Sequence, residues 1–591
     1  MIRNCSLPFL ISCLLAACGG GGGGRGGGAS GTSTTPSATG TDTRDWATAD
    51  ISGKLSMAGN WVAIDNSHDF LIGPSWNVVK TGVDQLEGVV LNGWAYTGSA
   101  NGTAVTPVRA VVLQQQSNGL LAEATSALFG NAMTNGAGSV IVADFNGDGR
   151  DDVVFPAHNE SPFIAMPSTA FMSRASGGFD KIVLPDSVMD HDARLVTLGG
   201  GKKILARSFG GSGNGGFGPG FNVIYSWNGS NFAVDLSLGD LGGMSVLAGP
   251  FNGNAEDWLI IGDSKSGPGV PYAATNPMQN YAYKYAGGVV TLPPVLLPKP
   301  YFNDKPEYAG FVSQWDPYSK THTSRLWTTD LNQDGLPDIL AGEEIWSSSK
   351  GGQRAMFQLL INRGGMRFTD DTDALQPEIA KDGGIDYSVR LVDVDASGID
   401  SMFLSGYLLV NDGTGRLYAA LHSEFDGMRS KVVDYAQSQV PSTQLISGLF
   451  GFYPYRTKDG RINYVAGMFT KNRSDLKISG NVFVNLPLGI NLSTDFRRDM
   501  TVGSRNGSRN IRTFAGNDTI YRAPGDPDCR IDGGLGNNTM VYPGKRADWV
   551  LTRSGTAITV KPANGSVGTD TLTRVKTAKF DDQTVELASL P

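Results

Sequence analysis

Two stretches of this 591-residue chain carry the same spaced set of oxygen donors, and that spacing limits the backbone that can lie beneath them. The first runs Asp144-Phe145-Asn146-Gly147-Asp148-Gly149-Arg150-Asp151-Asp152. The second runs Asp330-Leu331-Asn332-Gln333-Asp334-Gly335-Leu336-Pro337-Asp338. Side-chain oxygens recur at positions 1, 3, 5 and 9, with glycine at position 6. Donors at every second place of a tight loop converge, and glycine permits the sharp turn. A calcium ion requires six to eight oxygens at roughly 2.3–2.6 Å. The expected ligands are Asp144, Asn146, Asp148 and Asp152 in one loop, and Asp330, Asn332, Asp334 and Asp338 in the other. Arg150 and Leu336, at position 7, would offer backbone carbonyls. A helix–loop–helix site would end in a bidentate glutamate at position 12, where Phe155 and Ala341 stand instead. The flanks Val140-Ile141-Val142, Val153-Val154-Phe155 and Ile339-Leu340 are short and apolar, so each loop is expected between two strands.

A second punctuation repeats between these loops. Hairpin-type pairs occur at Asn118-Gly119, Gly177-Gly178, Asn228-Gly229, Gly287-Gly288, Gly364-Gly365 and Asp412-Gly413, with a further candidate unit at Asp459-Gly460. Glycine numbers 79 in the chain, and no long run shows the 3.6-residue period of an amphipathic helix. The spacing of roughly 50–60 residues suits four-stranded units, which predicts an all-β propeller of six or seven blades, seven favoured. The acidic loops resemble the FG-GAP or VCBS-type repeat of integrin α-subunit propellers and bacterial surface proteins. Two degenerate copies fit that resemblance. Asp393-Val394-Asp395-Ala396-Ser397-Gly398 has Ser401 at the last place, leaving Asp393 and Asp395 as candidate ligands. Pro250-Phe251-Asn252-Gly253-Asn254 lacks the first acid and has Trp258 at the last. Both are expected to keep the backbone and to bind weakly or not at all. The propeller is assigned to residues 47–490.

Residues 500–591 read as a separate β domain. Gly516-Asn517-Asp518-Thr519-Ile520 and Gly533-Gly534-Leu535-Gly536-Asn537-Asn538-Thr539-Met540-Val541 resemble the nonapeptide of hemolysin-type (RTX) calcium β-rolls. By that resemblance Asp518 is a calcium ligand. The first copy has Thr513-Phe514 where paired glycines belong, and the second has Asn538 where the acid belongs.

The N-terminus has the marks of an export signal. Arg3 is followed by the apolar run Leu7–Leu15 and then Leu15-Ala16-Ala17-Cys18. That run is too short to span a bilayer. It resembles the lipobox of bacterial lipoproteins, which implies a signal over residues 1–18, lipidation of Cys18 and, with Gly19 following, an outer-membrane location facing the cell surface or the periplasm. Residues 19–46 are mostly Gly, Ser, Thr and Ala and read as a flexible tether.

A net charge of -8 without a basic stripe argues against a nucleic-acid partner. The dinucleotide-like Gly211-Ser212-Gly213-Asn214-Gly215-Gly216 runs into Phe217-Gly218-Pro219 rather than a helix and is set aside. No nucleophile or metalloprotease motif occurs, and His158 and His322 are expected to be structural. The expected function is a calcium-binding surface module for an unknown glycan or protein ligand. The rival is an extracellular polysaccharide-degrading enzyme, which would need carboxylates or a histidine in the propeller's central pocket. A Pro- and aromatic-rich stretch, from Pro293-Pro294 through Tyr301, Trp315 and Tyr318 to His322, is the candidate ligand face.

Overall fold

The computed structural model describes residues 61–591 apart from 65–71, 95–106, 159–164, 199–202, 210–221, 238–244, 265–278, 300–320, 348–351, 373–388, 423–427, 491–495 and gaps of one to three residues. Cys18, the tether, the Gly211 segment, Asp395 and the aromatic residues 301–318 lie outside the described residues.

The chain is an all-β propeller followed by a small β-roll. Seven four-stranded antiparallel sheets follow one another among the described residues. In chain order they span Ile72–Glu123 (sheet 1), Ile141–Val188 (sheet 2), Asp190–Ser237 (sheet 3), Ser245–Leu296 (sheet 4), Thr321–Asp370 (sheet 5), Arg390–His422 (sheet 6) and Gln444–Ile490 (sheet 7). Sheet 7 takes its fourth strand from the far end of the domain. Trp61–Ile64 pairs antiparallel with Ile478–Ile490, so that Trp61 faces Val484 and Ile64 faces Asn481.

The first strands of sheets 1 to 5 approach one another in succession and that of sheet 7 approaches that of sheet 1, while shared apolar cores join sheet 5 to sheet 6 and sheet 6 to sheet 7, so the sheets close a ring. Apolar cores fill the spaces between sheets. Val79, Val90 and Val112 of sheet 1 pack on Val153, Phe155 and Phe171 of sheet 2. The alternate residues Val89, Leu91 and Val111 of sheet 1 pack on Tyr453, Val465 and Phe483 of sheet 7. Side chains alternate across a strand, so a sheet covered on both faces buries consecutive apolar residues. That is why Val89-Val90-Leu91 runs apolar without interruption.

The hairpin-type turns have one structural role. The turns at residues 118–119, 177–178, 228–229, 364–365 and 412–413 each fall between the third and fourth strands of sheets 1, 2, 3, 5 and 6, and Gly287-Gly288 lies outside the described residues, between the strands of sheet 4 that end at Ala286 and begin at Val289. Asp459-Gly460 differs from its expected role: it joins the first and second strands of sheet 7. Sheet 7 needs no third-to-fourth turn, because its fourth strand comes from residues 61–64. Pro293 and Pro294 also differ from expectation. They sit in Val289–Leu296, the fourth strand of sheet 4. An edge strand tolerates proline because its outer N–H groups need no ladder partner.

In the C-terminal domain, Thr501–Gly503, Thr519–Tyr521, Thr539–Val541 and Thr577–Lys579 stack in parallel. Asn510–Arg512, Cys529–Asp532 and Asp570–Thr573 form a second parallel stack. Ile520, Met540 and Ala578 of one sheet and Ile511, Ile531 and Leu572 of the other are buried in a shared core. Only two glycine-rich turns stand out in the sequence, yet four parallel strands stack, because the strands at 501 and 577 pack through Val502 and Ala578 without that signature. Gly536 shows what the signature is for: a Cβ there would collide with the carbonyl oxygen of Gly516 in the turn beneath.

Candidate functional site

All four acidic or degenerate loops occupy one place in the fold, the connection between first and second strands of sheets 2, 4, 5 and 6. In sheet 2, Asp144 Oδ1 accepts the N–H groups of Gly147 (2.7 Å) and Asp148 (3.0 Å), and Oδ2 accepts that of Gly149 (2.8 Å). Asn146 Oδ1 accepts the Asp148 N–H at 2.9 Å, and Asp148 Oδ1 accepts the Arg150 N–H at 2.9 Å. Asp152 is fully buried, and its two oxygens accept from Phe145 N–H at 3.0 Å and Ser173 N–H at 2.8 Å.

The sheet-5 loop repeats this arrangement. Asp330 accepts from Asp334 N–H (3.0 Å) and Gly335 N–H (2.9 Å). Asp334 accepts from Leu336 N–H at 2.9 Å and from the Asn332 amide at 2.9 Å. Asp338, also fully buried, accepts from Leu331 N–H and Asn362 N–H, each at 2.8 Å. In both loops the marked aspartates accept N–H groups of the loop's own backbone.

The electrostatics are those of crowded acids. Burial pushes Asp152 above the usual carboxylate range against the pull of the Ser173 and Phe145 N–H groups, and the charge of Asp148 adds to the rise. Burial raises Asp330, helped by Asp334. Asp338 is pushed up to about 8, by burial first and then by the charges of Asp334 and Asp330. Among the described residues no three His, Cys, Asp or Glu side chains stand close enough to form a ready-made metal cage. Each carboxylate oxygen that accepts one N–H keeps a second lone pair, and the donors are all oxygen, which fits a hard cation.

The other two loops differ. In sheet 6, Asp393 accepts from Ser397 N–H (3.0 Å) and Gly398 N–H (2.7 Å), as Asp144 does in its own loop. Ser401 is buried at the last position and meets a guanidinium from the C-terminal domain. In sheet 4, Glu256 of the loop pairs with Lys284. Asp518 of the roll has a structural occupation. Its Oδ1 accepts the Met500 N–H at 2.8 Å, and its own N–H donates to Asn538 Oδ1 at 3.0 Å, so successive turns are laddered. Burial pushes Asp518 up to about 6, with the Met500 N–H opposing and Asp499 adding.

One feature at the ring's centre escaped the sequence. First strands of sheets 1, 2, 3, 4, 5 and 6 line a cavity of about 290 Å³. Trp76, Asn77, Arg194, Arg325, Trp327 and Arg390 reach it, and its described lining contains no Asp, Glu or His. Arg194 Nε donates to Leu326 O at 3.0 Å, and its guanidinium lies 4.9 Å from the Trp327 ring centroid. Arg325, 6% exposed, donates across the channel to Gly138 O at 3.0 Å. Arg390 is paired with Glu87 at 3.1 Å. Trp76 leans on Tyr453, centroids 5.2 Å apart. His158 is buried away from this lining, and the side chain of His322 lies outside the described residues.

No family model and no curated protein matches the chain. Solved structures similar to it include the Dos1 propeller (10% identity, TM-score 0.31, 74% of this chain and 97% of that one). Another is the β-propeller domain of the Trilobed protease from Pyrococcus furiosus (9% identity, TM-score 0.28, 69% and 92%). A rhamnogalacturonan lyase is similar at 12% identity and TM-score 0.29, over 70% and 72%. The propeller assignment rests on this chain's own sheets.

Proposed function

We propose that this chain is a seven-bladed, calcium-stabilised propeller, held at the outer membrane through lipidated Cys18, that binds a glycan or protein ligand without transforming it. The observation that carries the binding reading is the lining of the central cavity. Three arginines and two tryptophans reach it, and its described part has no carboxylate or histidine for acid–base chemistry. At about 290 Å³ it has the scale of a small-ligand pocket, where a few polar groups orient a ligand against flat rings. Guanidinium groups pair with carboxylates and sulfates, and tryptophan stacks on apolar ring faces. The lining therefore suits a ligand that brings negative charge and a flat face, such as an acidic sugar.

Calcium enters through the loops of sheets 2 and 5. Each carries three aspartates, and none of these is bonded by a Lys or Arg side chain among the described residues. A bound divalent ion would neutralise that charge and fix the loops. The test is a binding screen of the soluble domain against neutral and acidic oligosaccharides and matrix proteins, with calcium and with chelator. Binding of an acidic saccharide that is recovered intact supports the proposal. Recovery of shortened chains would favour the polysaccharide-degrading alternative.

A further inference from the structure

The C-terminal roll meets the propeller on the face that carries the acidic loops. Arg509 N–H donates to Gln333 O of the sheet-5 loop at 2.9 Å. Asn510 Nδ2 donates to Ser397 O of the sheet-6 loop at 2.8 Å. A Cβ on Gly413 would strike the Asn510 carbonyl, so the two backbones touch there.

Arg512 goes further into the sheet-6 loop. It is 4% exposed. Its Nη1 donates to Ser397 Oγ at 2.8 Å, and its Nη2 to Ile399 O at 3.4 Å and to Ser401 Oγ at 3.0 Å. Its Nε donates to Asn411 O at 2.9 Å. Counted from Asp393, these loop acceptors are the side chain at position 5, the backbone carbonyl at position 7 and the side chain at position 9. They are the same places that an intact loop offers to an ion.

We infer that the sheet-6 loop is a cation site filled by the chain itself, the guanidinium of Arg512 standing where the intact loops hold calcium, and that this contact locks the roll to the propeller. The comparison with calcium rests on the reading of sheets 2 and 5 given above; the lock does not. Sheet 4 follows the same rule of compensation. Its loop lacks the first and last acids, and Lys284 from its own third strand pairs with Glu256, which also accepts from Asn252 Nδ2 at 3.0 Å. In the loops that kept three carboxylates no Lys or Arg side chain is hydrogen-bonded to a loop carboxylate among the described residues, and the Arg509 guanidinium lies against the Gly335 backbone of the sheet-5 loop instead. A guanidinium is permanently charged and spreads its donors in a plane, so it can serve several oxygens without a diffusible ion. Docking at sheet 6 is therefore insensitive to chelator, whereas the neighbouring sheet-5 contact inherits the order of its loop.

Limited proteolysis of the full chain in chelator tests the lock. The wild-type roll stays docked, and Arg512→Gln releases the C-terminal fragment faster by about tenfold or more, the scale of lost charge-assisted hydrogen bonds. Release at the wild-type rate would overturn the inference. If Arg512→Gln does not fold, the pair Ser397→Ala and Ser401→Ala removes the two side-chain acceptors, leaving the Ile399 and Asn411 carbonyls and the large side chain in place, and an acceleration in the same direction is expected; its absence overturns the lock. The equivalence to calcium is tested by equilibrium dialysis. Arg512→Met with Ser401→Asp should bind one more calcium than the wild type, and an unchanged count overturns it. A wild type that binds no calcium counts against the calcium reading alone, while proteolysis in chelator still judges Arg512.

Discussion

The side-chain amide of Asn411 donates to the backbone carbonyl of Leu331 at 2.8 Å, tying sheet 6 to the acidic loop of sheet 5. The same device recurs one sheet earlier, where Asn362 donates to Phe251 O at 2.6 Å. Both asparagines are fully buried, and each also caps its own turn, accepting from Gly413 N–H at 2.9 Å and Gly364 N–H at 3.0 Å. Removing such a side chain strands a buried carbonyl and an N–H. Asn411→Ala and Asn362→Ala should each cost about 1–3 kcal/mol. Denaturant melts of the two variants check this, and unchanged midpoints would mean that the loops hold their sheets without these links.

Calcium should raise the melting temperature. At millimolar calcium and a dissociation constant of about 0.1 mM, one site adds roughly 1.4 kcal/mol. Asp148→Ala and Asp334→Ala should each remove part of the difference between calcium and chelator, and the double variant most of it. Superimposable wild-type melting curves in calcium and in chelator would end the calcium reading.

Binding at the central cavity should depend on Arg194. Glutamine keeps a donor for Leu326 O but removes the charge beside Trp327. Arg194→Gln should weaken an acidic oligosaccharide by about tenfold at low salt and leave a neutral one little changed. Titration calorimetry with both sugars separates these outcomes. Equal losses for the two would point to a general change in cavity shape.

In the roll, Asp570 is fully buried against Arg522, and burial pushes its carboxyl up to about 7, with Arg522 opposing. A carboxyl whose folded pKa exceeds its unfolded value near 4 holds its proton more tightly when folded. Its stabilising contribution is thus complete below about pH 4 and is lost as pH rises toward 7. Asp570→Asn should flatten that slope in thermal melts between pH 4.5 and 7.5. An unaltered slope would assign the dependence to other groups.

Anchoring is testable apart from the fold. Cys18→Ser should abolish acylation and move the protein from membrane to soluble fractions. Mass spectrometry of the mature N-terminus decides between a diacylated cysteine and an unmodified start elsewhere.

What could be read from sequence was local. Asp144 to Asp152 announce a turn and its donors within nine residues, and the Asn-Gly and Gly-Gly pairs announce hairpins within two. Strand alternation was harder to see, because Val89-Val90-Leu91 is buried on both faces and shows no polar partner residues. Non-local features were out of reach. Arg194, Arg325 and Arg390 come from three sheets and meet only once the ring forms. Arg512 reads as an ordinary surface charge until the roll docks, and nothing local to Ser401 says what replaces the missing acid. The aromatic stretch of residues 301–318 lies outside the described residues.

The strand Trp61–Ile64 completes sheet 7 by pairing with residues 481–484, so Ile64 and its partner Asn481 are 417 positions apart (481 minus 64). At about 5–20 residues synthesised per second, the first strand waits roughly 20–80 seconds for its partner to exist. Throughout that interval it is an apolar strand with no ladder. A chain built this way is born open and shuts last. Any delay between its two ends, in synthesis or in export, lengthens the time in which a neighbouring copy can supply the missing strand instead. Swapped or tangled assemblies should accordingly form during biogenesis rather than after it, and they should be suppressed by whatever holds residues 61–64 apart until residue 490 has arrived.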